Sequence, residues 1–96
     1  MSRRWKHGWT PTGVDENEIK TKARDTLAKV SFGREWVNGK GVKHTELLLN
    51  GQVVGEIHGN INLAGVDIGD FKVTGRGVKV FLLRNGVPVG HIWINQ

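Results

Sequence analysis

The sequence predicts an α+β fold, with one N-terminal amphipathic helix packed on a curved antiparallel sheet of about six strands. Three observations lead there. One early stretch carries apolar residues at helical spacing. From Ser31 onward the apolar period shortens to that of strands. The strand-rich part also reads as two tandem three-stranded meanders: Gly33–Lys43 aligns with Gly69–Lys79 at an offset of 36, and Leu47–Asn60 with Leu82–Asn95 at an offset of 35. Both copies share G-x-x-x-V-x-G-[KR]-G-V-K and L-L-x-N-G-x-x-V-G-x-I-x-x-N. Fourteen of the 25 aligned positions are identical, and because only five of these are glycine, low-complexity matching does not account for the similarity.

Residues 1–13 read as a basic arm in which Arg3, Arg4, Lys6 and His7 alternate with Trp5 and Trp9. Pro11 and Gly13 argue against helix there. Residues 15–30 read as the helix. Asp15 and Glu18 have capping-box spacing, with Thr12 as a rival cap, and Asp15, Glu16 and Glu18 complement the positive end of the helix dipole. Ile19, Ala23, Leu27 and Val30 form its apolar stripe.

The first repeat spans 31–60 and the second 67–95. Their strands are expected at Ser31–Val37, Val42–Leu49 and Gln52–His58, then at Asp67–Val73, Val78–Arg84 and Val87–Ile94. Asn50-Gly51 and Asn85-Gly86 are hairpin turns, because both residue types tolerate the positive φ of a type I′ turn. Pro88 fits a sheet edge or a bulge. The drop in offset between Lys43 and Leu47 implies one extra residue in the first copy, which a β-bulge in the second strand would absorb. A plain two-residue hairpin sets Leu47 opposite Val54 and Leu82 opposite Val89, at the centre of the core. Val78–Leu83 is apolar on both faces, so the sheet is expected either to curl on itself or to pair with a second subunit, and a homodimer is compatible with the pattern.

A chain of 96 residues predicts one domain. Its net charge of +5 and pI near 10.0 favour anionic partners, although the same charge also serves solubility. The absence of cysteine excludes disulfides and thiolate chemistry and leans towards a reducing compartment. No apolar run is long enough for a membrane span and no signal peptide is read, so a cytoplasmic location is expected.

The arm pairs cations with indoles, a combination that tracks a phosphate backbone and stacks on bases, so Arg3, Arg4, Trp5, Lys6 and Trp9 are candidate nucleic-acid contacts. The plain alternative is that Trp5 and Trp9 seal the core. Lys40, Lys43, Arg76 and Lys79 fall at aligned places in the two G-[KR]-G-V-K turns, where flanking glycines would leave amides open to phosphate. The plain alternative is two tight turns with solvated charges. Trp36 and Trp93 align with Lys72 and His58, so an indole there answers either a contact surface or core filling.

The histidines His7, His44, His58 and His91 show no metal-ligand spacing. Glu56 and His58 share a strand face, but nothing local supplies further ligands, so no metal site and no cofactor are assigned. No nucleophile elbow or acid–base pair emerges, so the chain reads as a non-enzyme. The expected function is a small module that binds nucleic acid through its arm and paired basic hairpins. The alternative is a protein-binding regulator or inhibitor acting through the apolar sheet face.

Overall fold

Asp15 has an extended backbone (φ −121°, ψ 119°), and its carboxylate accepts the Glu18 N–H at 3.1 Å. That cap satisfies one of the amides a helix start leaves unpaired. Helix α1 follows at Glu16–Lys29. The computed structural model describes residues 15–94, so Thr12 and the basic arm at 1–13 lie outside the described residues. Lys20 and Lys22 reach back one turn to Glu16 and Glu18 on the exposed side of α1. Ile19 and Ala23 are buried on the other side, with Leu27 and Val30 packed beside them.

Six strands follow: β1 (Ser31–Val37), β2 (Lys43–Leu49), β3 (Gln52–His58), β4 (Asp67–Thr74), β5 (Gly77–Arg84) and β6 (Val87–Ile94). They form one open antiparallel sheet in the order β1-β2-β3-β6-β5-β4. The fold is therefore α+β, as the period change indicates. Asn50-Gly51 and Asn85-Gly86 take the positive φ of type I′ turns, +53° and +80° in one and +53° and +79° in the other. No helix among the described residues is long and apolar enough to cross a membrane.

Alternation along the strands separates two faces. Leu47, Ile57, Val78, Val80, Leu82, Ile92 and Ile94 point to the helix side and form the core. The 59–66 connection also runs on that side, where Ile61, Leu63 and Val66 pack on the same core. Both covering segments therefore lie against one face, and neither supplies apolar cover for the other. The two-sided pattern of β5 needs no such cover. Its outward residues are Lys79, Phe81 and Leu83; Lys79 lies over the Phe81 ring, and the Leu83 side chain fills the space beside Gly69.

Three expectations about register change. Leu47 is opposite Gly55 and Leu82 is opposite Gly90, where the plain hairpin placed Val54 and Val89. Each hairpin has a bulge, between Leu47 and Leu48 and between Leu82 and Leu83, where β3 or β6 carries one extra residue. Pro88 sits at the second of these bulges, where its missing N–H breaks no regular ladder. The extra residue of the first half is not a bulge in β2. Val37 pairs with Lys43 in one half, whereas its counterpart Val73 pairs with Val78 in the other, so the surplus lies in the longer β1–β2 turn. Lys43 therefore corresponds in register to Val78, and His44 to Lys79, which ends the alignment of Lys43 with Lys79.

In the sheet the two three-stranded halves are joined at β3 and β6, through Gly55↔Ile92, Glu56↔His91 and Ile57↔Gly90. A Cβ on Gly55 would stand 2.2 Å from the His91 carbonyl oxygen, and one on Gly90 would stand 2.2 Å from the Glu56 carbonyl oxygen. Both obstacles are backbone, so neither can rotate aside. Gly55→Ala or Gly90→Ala is expected to lower stability by about 2–3 kcal/mol through overpacking of the seam. Asp15→Ala is expected to cost only about 1 kcal/mol, the usual worth of a cap. Urea unfolding of the three variants measures both, and equal small losses would contradict the seam assignment.

Candidate functional site

The helix-free face carries most of the unusual side chains of the chain. The shifted registers stack them in three rows. Trp36, His44 and His58 are successive cross-strand neighbours on β1, β2 and β3. Glu46, Glu56, His91 and Phe81 form a row across β2, β3, β6 and β5. Lys72, Lys79 and Trp93 form the third across β4, β5 and β6.

The first row is a connected polar network. In the β1–β2 turn the Asn38 side-chain oxygen accepts the Lys40 and Val42 N–H groups at 2.8 and 3.1 Å. This fixes the amide so that its Nδ2 faces His44 Nε2 at 2.9 Å. An amide nitrogen only donates, so Nε2 accepts and the His44 proton sits on Nδ1. Nδ1–H then donates to Glu56 Oε2 at 2.7 Å. His58 Nε2 donates to the same oxygen. Trp36 stacks on the His44 ring at 5.3 Å with an 8° interplanar angle. Arg34 lies 5.3 Å over the Trp36 ring, and its backbone N–H donates to Glu46.

Electrostatics follow from these contacts. Burial opposes ionisation of Glu56, but the hydrogen bonds from His44 and His58, with their charge whenever the rings are protonated, outweigh it, so its pKa lies below the ordinary carboxylate value. His91 is shifted down, first by burial and then by the nearby Lys79 ammonium, with Glu56 pulling the other way.

The third row is cationic and aromatic. Arg76 lies 5.1 Å over the Trp93 ring, and the Lys79 ammonium is 5.5 Å from the Phe81 ring and 5.9 Å from the Trp93 ring. His91 meets Trp93 edge-on at 6.1 Å.

The four described sequence-derived candidates, Lys40, Lys43, Arg76 and Lys79, do not form one cluster. Arg3, Arg4, Trp5, Lys6 and Trp9 lie outside the described residues. Arg76 and Lys79 come together around Trp93. Lys40 is in the β1–β2 turn, and antiparallel order puts that turn at the opposite edge and opposite end of the sheet from the β4–β5 turn of Arg76. Lys43 points to the helix side, where it pairs with Glu35 at 3.3 Å. Four of the turn amides are already occupied. Asn38 takes those of Lys40, Gly41 and Val42, and Thr74 Oγ1 takes that of Arg76. Asn and Thr side chains compete for such amides whenever they begin a turn.

His44 was not grouped with Glu56 and His58 by sequence. Without a bulge, His44 would face Ile57; the extra β3 residue moves it opposite His58. A bulge-shifted reading of the Asn50-Gly51 hairpin is the signal that could have found it. No protein-family model, curated protein or solved structure matches the chain.

A His91 pKa held down in the folded state means fewer bound protons than in the unfolded chain between the two values. Its contribution is full above the unfolded value and is lost as pH falls towards the folded one. NMR titration is expected to give His91 a midpoint below that of a histidine in an unstructured peptide. A midpoint at or above the peptide value would contradict the packing of Lys79 and burial around this ring.

Proposed function

We propose that the protein binds single-stranded nucleic acid across its helix-free sheet face. The observation that carries this reading is the pairing of each exposed-face aromatic with a cation: Arg34 with Trp36, Arg76 and Lys79 with Trp93, and Lys79 with Phe81. Bases stack on such rings, while the adjoining cations meet the backbone phosphates. Trp36 and Trp93 lie on β1 and β6, three strand spacings (about 14 Å at roughly 4.8 Å per strand) apart across the sheet and on opposite sides of the Glu56–His91 pair along it. Between them run His44, His58 and His91, so the face is continuous rather than two isolated patches. The net charge of +5 supports the same partner. The basic arm would extend this surface through Arg3, Arg4, Trp5, Lys6 and Trp9, and Lys40 would act at its far end.

The register shifts shared by the two meanders support the tandem reading of the sequence. On that reading one backbone frame presents two chemistries, with Trp36, His44 and His58 on one side and Lys72, Lys79 and Trp93 on the other. The proposed module is non-enzymatic and acts in the cytoplasm.

A second reading, a protein partner or a second copy of the chain, is favoured by edge strand β1. Phe32 and Val37 point to the helix side there and remain 49% and 65% exposed. Light scattering on the purified protein distinguishes a homodimer from a foreign partner.

The nucleic-acid reading is tested with a fluorescent oligothymidine and an oligouridine at 50 and 200 mM salt. Affinity is expected to fall steeply, by about tenfold or more if several phosphates are neutralised. Arg34→Glu and Arg76→Glu, both at exposed positions, are expected to weaken binding further at low salt. Equal affinity at the two salt concentrations, or unchanged binding by both variants, would count against this surface.

A further inference from the structure

We propose that His44, Glu56 and His58 form a binding site for a divalent transition metal of the zinc class. The site stands apart from the nucleic-acid reading and needs no oligonucleotide to be tested. A ring nitrogen of His44, a Glu56 carboxylate oxygen and a ring nitrogen of His58 lie within 4.8 Å of one another, and His44 Nδ1 and His58 Nε2 are the nitrogens in contact with Glu56 Oε2. Two imidazoles and one carboxylate are a donor set that zinc accepts, and three protein ligands leave a fourth position for water or a bound anion. A tetrahedral zinc with ligands at about 2.0–2.2 Å holds its donors about 3.4 Å apart. His44 Nδ1 and Glu56 Oε2 are now 2.7 Å apart with a proton between them, so modest side-chain rotation opens the required space.

The scaffold holds the three donors on neighbouring strands. His44 and His58 are directly paired across β2 and β3, and Glu56 is two residues from His58 on the same face. Trp36 stacked on His44 restricts that ring. The side chains of His44 and Glu56 are 17% and 25% exposed, and that of His58 is 42% exposed, so a hydrated ion can reach them from solvent. Neutral imidazole and carboxylate oxygens together favour zinc, cobalt, nickel or copper over magnesium or calcium.

Asn38 sets the affinity. Its Oδ1 is held by the Lys40 and Val42 amides, so its Nδ2 can only donate to His44 Nε2. A metal at Nδ1 requires the opposite tautomer. Through solvent the His44 proton moves from Nδ1 to Nε2 and the His58 proton from Nε2 to Nδ1, so the freed His44 Nδ1 and His58 Nε2 lone pairs bind the ion, and the His44 Nε2–H now faces Asn38 Nδ2, which cannot accept it. The wild-type site therefore gives up one hydrogen bond on loading. An aspartate at 38 removes the conflict. One carboxylate oxygen still accepts the two turn amides, and the other accepts Nε2–H, completing the carboxylate–histidine–metal arrangement that tightens many sites.

The test is a titration of the full chain with Zn²⁺ alone, and with Co²⁺ for its visible spectrum, alongside circular dichroism of every variant. The expected result is saturable binding of one ion per chain, weakened about tenfold or more by His58→Ala and by His44→Ala. Asn38→Asp is expected to tighten binding about tenfold. Long-range imidazole ¹⁵N spectra of the wild-type protein are expected to move at His44 Nδ1 and His58 Nε2 on adding Zn²⁺, a readout that needs no substitution. The proposal is overturned if no saturable binding is seen. It is also overturned if binding persists undiminished in His58→Ala, if Asn38→Asp leaves affinity unchanged, or if the nitrogen shifts move on His91 or His7 instead.

Discussion

The structure depends on how closely β3 and β6 approach. These strands join two three-stranded units through three residue pairs, and at two of those pairs a glycine faces a carbonyl oxygen of the opposite strand. Only a residue without Cβ permits that distance. The seam places Glu56 directly against His91 at the middle of the sheet, so the row of titratable side chains on the helix-free face exists because the backbones can meet there. Each of these glycines lies beside a bulge, and a bulge raises the local twist of its strand. Close approach, twist and the placement of the site are thus one structural feature.

The parts of the fold governed by local chemistry were legible in the sequence. Asp15 caps the helix it was expected to cap, Ile19 and Ala23 are its buried stripe, and the two Asn-Gly pairs turn their hairpins. Register was not legible, because bulges are set by packing across strands and leave no fixed local motif. A plain two-residue hairpin sets Leu47 against Val54, and every pair beyond it is then off by one. The same shift separates Lys43 from Lys79, which the sequence alignment had joined across turns of unequal length. It also hides the candidate site, since His44 meets His58 only after the bulge.

The helix-free face shows how a similar frame carries different chemistry in its two halves. One corner holds a network in which an asparagine fixes a histidine tautomer and two imidazoles converge on one carboxylate oxygen. The other holds lysine and arginine against indole and phenyl rings. Covering this face with a helix would bury Glu56, three histidines and their cations at a large desolvation cost. The 59–66 connection and α1 both lie against the other side, where the buried core cluster is aliphatic.

Bulged registers align His44 with His58 and Glu56 with His91 on the helix-free face. Backbone NOE spectroscopy of the full chain tests this alignment directly. The account requires cross-strand contacts between His44 and His58 on β2 and β3, and between Glu56 and His91 on β3 and β6. Contacts pairing His44 with Ile57 instead, as in an unbulged hairpin, would dissolve the site and the functional readings built on it.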